Sequence, residues 1–319
     1  MNRGVEIRDL KKDFALARWQ GFRRRMSRVT AVDGITLDVP AGQSVAFIGP
    51  NGAGKSTTIK ILTGILHPSS GDVKVLGLTP WSERRKLAQH IGAVFGQRSQ
   101  LWYHLPPGDT FELIARIYSI DRDVYRKTRD TLVDRFALGP FMDTPVRKLS
   151  LGQRMRAEVA ASLLHRPRVL FLDEPTIGLD AVARQELRDL VREWNSREGA
   201  TIFLTSHDAG DIEHVAERVV VINHGRVIVD GPVAEVRKRY VSTRIVRAQF
   251  QETPLPIHVP GSVVRSQTAY EWVMEIDVSI TPVQEAIARL LQAAPIADIA
   301  VEDPPLERVI TQIYREHAP

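Results

Sequence analysis

Nine consecutive residues, GPNGAGKST from Gly49 to Thr57, restrict what this chain can fold into more than any other stretch. They follow an apolar segment, QSVAFI, and lead into a helical pattern, STTIKILTGIL. The spacing G-x-x-x-x-G-K-[ST] between strand and helix makes a phosphate-binding loop, because Gly49, Gly52 and Gly54 let successive backbone N–H groups turn inward. Lys55 adds a charge for the outer phosphates and Ser56 a hydroxyl ligand for Mg²⁺, while Pro50, Asn51, Ala53 and Thr57 complete the cradle. The helix start contributes its partial positive charge. The alternative is a glycine turn that only caps a helix.

A phosphate loop of this kind belongs at the carboxyl edge of a parallel sheet, and the rest of the chain supplies the strands. RVLFLDE, ATIFLTSH and RVVVINHG are short apolar runs, and RVIVDG returns after a turn at His224 and Gly225. Helical patterns separate them, which predicts a mainly parallel sheet covered on both faces. Residues 5 to 40 alternate as strands through VEIRDL and ITLDV. Residues of about 100 to 165 (TFELIARIYSI, DVYRKTRDTLVDRFAL, QRMRAEVAASLLH) read as an inserted helical subdomain.

The character changes near residue 240. A nucleotide-binding domain over 1–239 and a small α+β domain over 240–319 are therefore expected. Within the latter, helices are expected from Pro282 to Ala293 and from Pro304, with Asp303 as the cap of the second.

Composition narrows the setting. With no cysteine among 319 residues, disulfides and thiolate zinc sites are excluded. The opening MNRGVEIRDLKKDF lacks an apolar core, and the longest apolar runs are strand-sized, so neither a secretory signal nor a membrane span is expected and a cytoplasmic chain is. The net charge of +5 suits nucleic acid and anionic membranes alike and chooses neither.

The chemistry is completed by residues far along the chain. VLFLDEPT ends a strand in Asp173, a carboxylate for the Mg²⁺ shell, and Glu174, a base for an attacking water; an ordinary helix entry before Pro175 is the alternative. His207 closes another strand, where ligands of parallel sheets gather, and is positioned to contact a γ-phosphate unless it is structural. Gln97, in AVFGQRSQL, has an amide suited to Mg²⁺ or the attacking water, although glutamines at such junctions are mostly solvated. The turn LSLGQ opens a helix of the inserted subdomain and offers Ser150 and Gly152 to an anion. Because that subdomain is expected to one side of the phosphate loop, the turn should serve the nucleotide of a second copy in a two-fold dimer closed by ATP.

GPNGAGKST, Gln97, LSLGQ, FLDEP, Gly178-Leu179-Asp180 and His207 stand in the order and spacing of an ABC-type ATPase, and the resemblance covers about residues 5 to 235. It implies an α/β P-loop NTPase with a RecA-like core, an N-terminal antiparallel β subdomain, the inserted helical subdomain and the small C-terminal α+β domain. It also implies that Ser150, Gly152 and Gln153 form the signature facing ATP across the dimer, and that Asp180 lies in the loop linking the two sites. Leu151 departs from the usual glycine. The aromatic residue expected on adenine is Phe14, with Trp19 and Phe22 as alternatives.

One cassette, no heptad run and no cysteine resemble a transport motor more than a soluble ABC machine acting on nucleic acid or ribosomes, which is the rival reading. FGQRSQLWYHLP, RKLSLGQRMRAE and EPTIGLD resemble type-2 exporters of the viologen and multidrug group, whose membrane domains are separate chains; an importer is the further alternative. The expected partners are those permease subunits and a second copy, with no specific nucleic acid, and the expected place is the cytoplasmic face of the membrane. Leu101, Trp102, Tyr103, Leu105 and Phe111 are divided between a groove for a permease helix and the subdomain core. In WQGFRRRMSR, Trp19, Phe22 and Met26 fall on one face of a possible basic amphipathic helix suited to anionic lipid, or in a solvated loop.

Overall fold

In the computed structural model the chain is described over residues 3–20, 23–96, 99–206 and 208–317. Contacts divide it into two units, Met1–Val233 and Ala234–Pro319.

Along the first unit the strands are β1 (Arg3–Gln20), β2 (Arg23–Pro40), β3 (Ser44–Ile48), β4 (Ser70–Val75), β5 (Ile91–Phe95), β6 (Val169–Asp173), β7 (Thr201–Thr205), β8 (Arg218–Asn223) and β9 (Arg226–Pro232). The helices are α1 (Lys55–Leu62), α2 (Arg84–Ala88), α3 (Pro107–Ile117), α4 (Arg122–Arg135), α5 (Leu151–Leu163), α6 (Ala181–Glu198) and α7 (Ala209–Val215). A six-stranded sheet runs β5-β6-β7-β3-β8-β9, parallel except for β9. The turn that sends β9 back uses His224 and Gly225, both at positive φ (46° and 76°), as a two-residue hairpin requires.

Between their polar end residues the middle strands of this sheet, VAFI in β3, VLFL in β6 and IFL in β7, are apolar because both faces are covered. Phe171 and Phe203 point into one core with Phe47, Ile59 and the antiparallel strands. Their neighbours Leu170, Leu172, Ile202 and Leu204 alternate into a second core with Met155, Leu163, Leu187 and Trp194. The first core lies under a three-stranded antiparallel sheet, β2-β1-β4, and the second holds the helices α3, α4 and α5. The antiparallel β subdomain and the inserted helices expected from the sequence are both present. Of the aromatic and apolar residues after β5, Leu101 and Phe111 are core, whereas Trp102 and Tyr103 are 43% and 59% exposed.

The basic stretch after Phe14 corrects one expectation. No helix forms there; β1 and β2 continue as a hairpin with Ala17 opposite Met26 and Gln20 opposite Arg23. The pairing has already started where Ile7, Leu10, Ile35 and Leu37 are buried, so each further residue adds ladder bonds, while an isolated helix of this length is marginal. The side chains of Trp19, Arg23, Arg24, Arg25 and Met26, and the whole of Phe22, lie outside what the structure describes.

The second unit contains α8 (Val233–Tyr240), β10 (Thr243–Phe250), β11 (Ser262–Gln267), β12 (Glu271–Asp277), α9 (Val283–Ala293), β13 (Ile296–Glu302) and α10 (Leu306–Glu316). Its antiparallel sheet runs β11-β12-β10-β13 around a core of Val246, Trp272, Met274 and Leu290. Asp303 does not cap the last helix. Pro305 is the N-cap, two residues later, because the Pro304-Pro305 pair holds the chain extended, and Asp303 instead binds Arg237 and Arg244 at 3.3 and 3.2 Å.

Phe203 is fully buried between Phe47 and Phe171, with ring centroids 5.2 and 5.7 Å away. Phe203→Ala should therefore lower the unfolding free energy by about 3–5 kcal/mol in urea denaturation; a loss below about 1 kcal/mol would mean that this layer is not packed as described.

Candidate nucleotide site

The six-stranded sheet delivers its polar residues to one edge. The phosphate loop follows β3, Asp173 and Glu174 follow β6, Ser206 follows β7 and Gly96 follows β5, all at carboxyl ends of parallel strands. Gln97 and His207, the next residues after Gly96 and Ser206, lie outside the described residues.

Within the loop, Gly52 and Gly54 adopt φ of 84° and 105°. A Cβ on Gly52 would meet nothing within 4 Å, whereas one on Gly49 would lie 2.6 Å from the Ile222 carbonyl oxygen. The first glycine thus lets the loop sit against β8, and the second supplies a left-handed turn facing open space. Lys55 is only 6% exposed; its Nζ donates to the carbonyls of Gly49 (2.6 Å) and Pro50 (3.3 Å) and lies 3.8 Å from Glu174 Oε1. Burial holds its pKa below the ordinary lysine value, against the pull of Glu174 and Asp173.

Asp173 joins the loop to the sheet. Its Oδ1 accepts from Ser56 Oγ (3.1 Å) and from Thr205 Oγ1 (2.6 Å). Glu174 stands in the left-handed region, φ 53°, and its N–H donates to both Thr205 O and Thr205 Oγ1 at 3.1 Å. Gly96 N donates to Asp173 O at 2.9 Å, and a Cβ there would lie 2.6 Å from Glu174 O. Thr205 and Gly96 went unnoticed in the sequence, although a threonine one residue before Ser206-His207 and a glycine closing β5 were the available signals.

The donors suit a Mg²⁺-bound nucleotide. Ser56 and Asp173 provide a hydroxyl and a carboxylate in contact. Among the described residues no three His, Cys, Asp or Glu side chains gather around a metal position.

The turn at Ser150 has a local task. Ser150 Oγ accepts from Gln153 N (3.2 Å) while Gln153 Oε1 accepts from Ser150 N (2.9 Å), a reciprocal cap on α5. A hydroxyl that accepts in this way keeps its own hydrogen to donate. Gly152 packs so closely on α6 that a Cβ would lie 2.9 Å from Ala183 Cβ, and a Cβ on Gly178 would meet Leu151 Cδ2 at 3.0 Å. Asp180 caps α6 through Ala183 N at 2.9 Å. The structure thus brings Lys55, Ser56, Asp173 and Glu174 into one cluster and Ser150, Gly152 and Asp180 into another; among the described residues no hydrogen bond links Ser150 or Gln153 to Lys55 or Ser56. Phe14 sits on β1 opposite Val29, with Lys12 Nζ 5.2 Å from its ring centre.

Two further contacts hold the edges of the site, and no sequence signal singled them out. Glu158 of α5, 3% exposed, accepts from Ser99 Oγ and from Gln100 N (2.9 Å), and burial raises its pKa against those hydrogen bonds. Arg188 of α6 donates to Asp211 (2.7 Å) and Asp208 (2.9 Å), and Asp211 also accepts from Thr176 Oγ1 and Ser206 Oγ. Arg184 donates to the Leu179 carbonyl (3.0 Å), so the segment after Glu174 and the segment after Thr205 are tied to one helix.

Comparison with known proteins fits this arrangement. The model of the ABC transporter family matches residues 32–177. The daunorubicin resistance ATP-binding protein DrrA3 of Streptomyces coeruleorubidus is 32% identical over 90% of this chain and 90% of its own length. The chain belongs to the ABC transporter family. It is an ATP-binding, ATP-hydrolysing subunit of that family. The daunorubicin/doxorubicin resistance ATP-binding protein DrrA of Streptomyces peucetius is 36% identical over 70% of this chain and 66% of its own length. The fold matches a dimeric ATP-binding cassette in a post-hydrolysis state bound to ADP and Pi, with a TM-score of 0.61 and 24% identity, over 72% of this chain and 98% of the other.

Arg188→Leu leaves Asp211, 1% exposed, without its buried counter-charge. The substitution should cost about 3–5 kcal/mol of unfolding free energy in urea, and a change below about 1 kcal/mol would show that the pair is not desolvated as it stands here.

Proposed function

We propose that this ABC ATPase drives an exporter, closing as a homodimer over two ATP molecules and acting on separate membrane-spanning subunits from the cytoplasmic face. The observation that carries the reading is the contact of Ser56 with Asp173 and of Lys55 with Glu174, which puts phosphate, metal and base chemistry at one sheet edge.

In this reading the N–H groups of Gly49 to Thr57 and the Lys55 ammonium bind the phosphates. Ser56 and Asp173 hold Mg²⁺, with Gln97 as a further ligand. The ion, when bound, neutralises charge on the β- and γ-phosphates. Glu174 accepts a proton from water as its oxygen attacks the γ-phosphorus; the bond to the bridging oxygen breaks, and ADP and phosphate are left. His207 contacts the γ-phosphate, and Phe14 stacks on adenine. Ser150, Gly152 and Gln153 of one copy close over the ATP of the other, near Asp180.

Two features favour a transporter. Both relatives are named for resistance to an antibiotic, which suits removal of a compound from the cell. Trp102 and Tyr103 on the helical subdomain, 43% and 59% exposed, offer an apolar face to membrane-spanning subunits. The C-terminal unit has a regulatory or dimer-steadying part.

Glu174→Gln should lower phosphate release by about 10²–10⁴-fold and trap an ATP-bound dimer in size-exclusion chromatography. A monomer in ATP and Mg²⁺ would contradict the closing mechanism.

A further inference from the structure

The last helix of the chain is amphipathic in an unusual way. Leu306, Val309 and Ile313 of α10 are buried, while Arg308, Thr311, Gln312 and Arg315, at i, i+3, i+4 and i+7, line a cavity of about 600 Å³. Arg265 of β11 and Glu275 of β12 form its other wall, and Tyr240 to Thr243 close one side.

The charges of this cavity do not balance. Glu275 accepts from Arg265 Nε (2.8 Å), from Arg308 and from Thr243 Oγ1 (2.9 Å). Burial raises its pKa, but these hydrogen bonds outweigh burial and hold the carboxyl below the usual range, so it is ionised. One carboxylate thus faces two guanidinium groups and fixes their planes. Arg315 adds a third and has no acidic partner among the described residues. Three cations against one anion leave a surplus of about two positive charges around one concave, solvent-open face.

Fixed guanidinium forks match planar or tetrahedral oxyanions, which they bind through paired N–H donors. The volume is larger than an inorganic phosphate needs, and Thr311, Gln312 and Tyr240 offer hydrogen bonds to an uncharged body beside the anion. We propose that the C-terminal unit binds the phosphate group of a small phosphorylated molecule in the cavity between α10 and the β11–β12 edge. The phosphate belongs either to a soluble metabolite or to a lipid headgroup. This site is separate in sequence from the phosphate loop and depends on none of its residues.

The test uses the full chain with Lys55→Ala, so that the phosphate loop is weakened. Pyrophosphate is titrated calorimetrically, and co-sedimentation is measured with phosphatidylglycerol and with phosphatidylcholine vesicles. Affinity for pyrophosphate should fall about tenfold with Arg315→Gln, the loss of one charge-assisted contact, and disappear with Thr311→Glu. Because both positions are exposed, the unfolding transition should stay in place. Sedimentation with phosphatidylglycerol alone, lost in the same variants, identifies the headgroup as the source. Equal binding of both probes with and without Arg315→Gln overturns the proposal.

Discussion

Asp173 Oδ1 accepts hydroxyl hydrogen bonds from Ser56 and Thr205, and the polar carboxyl edge of the sheet hangs on that shared oxygen. One bond draws the first turn of α1 to β6, and the other draws β7 to β6. The N–H of the next residue, Glu174, returns to Thr205 in turn. Removal of the carboxylate would release a loop, a helix and a strand end together. The knot sits at the margin of a sheet whose interior positions are apolar on both faces, so packing fixes the strands and three polar groups fix the ends.

Glu174 adds a conformational constraint. A non-glycine residue at positive φ costs of order 1 kcal/mol; here it is bracketed by two bonds to Thr205 and by the close approach of Gly96. The price of that backbone is met by the sheet, and the carboxylate stays within 3.8 Å of Lys55 Nζ. Similar local logic governs the second cluster. Ser150, Gln153 and Asp180 each cap a helix in their own chain, and the close packing of Gly152 on α6 keeps the two helix starts side by side. A cap that uses lone pairs leaves the Ser150 hydrogen for another acceptor, so folding and binding need not compete for the residue.

The phosphate-loop backbone and the cap at Ser150 were legible in sequence because their signals are local. Glycines at 49, 52 and 54 declare a wrapped backbone, and Ser150 with Gln153 three residues on declares a helix start. Apolar runs of three or four residues marked the central strands for the same reason. What escaped depends on partners distant in sequence. Thr205 matters only because β6 and β7 pair in the register that sets Asp173 beside it. Arg188 gains meaning from Asp208 and Asp211, about 20 residues later. The basic segment after Phe14 has a helical spacing of large residues, yet strand pairing begun at Ile7 and Ile35 carries through it. Asp303 lost its cap role to a second proline and to two arginines elsewhere in its unit.

The central claim is that the Ser150 turn of one chain serves the ATP held by Lys55 of another. Complementation tests it most directly: Lys55→Ala chains are mixed with Ser150→Arg chains, each inactive alone, and ATP hydrolysis is followed. A mixed dimer has one site with an intact loop from one chain and an intact turn from the other, so mixing should restore activity that neither variant has. No recovery, with mixed dimers demonstrated by mass spectrometry under native conditions, would mean that loop and turn act within one chain and would contradict the account.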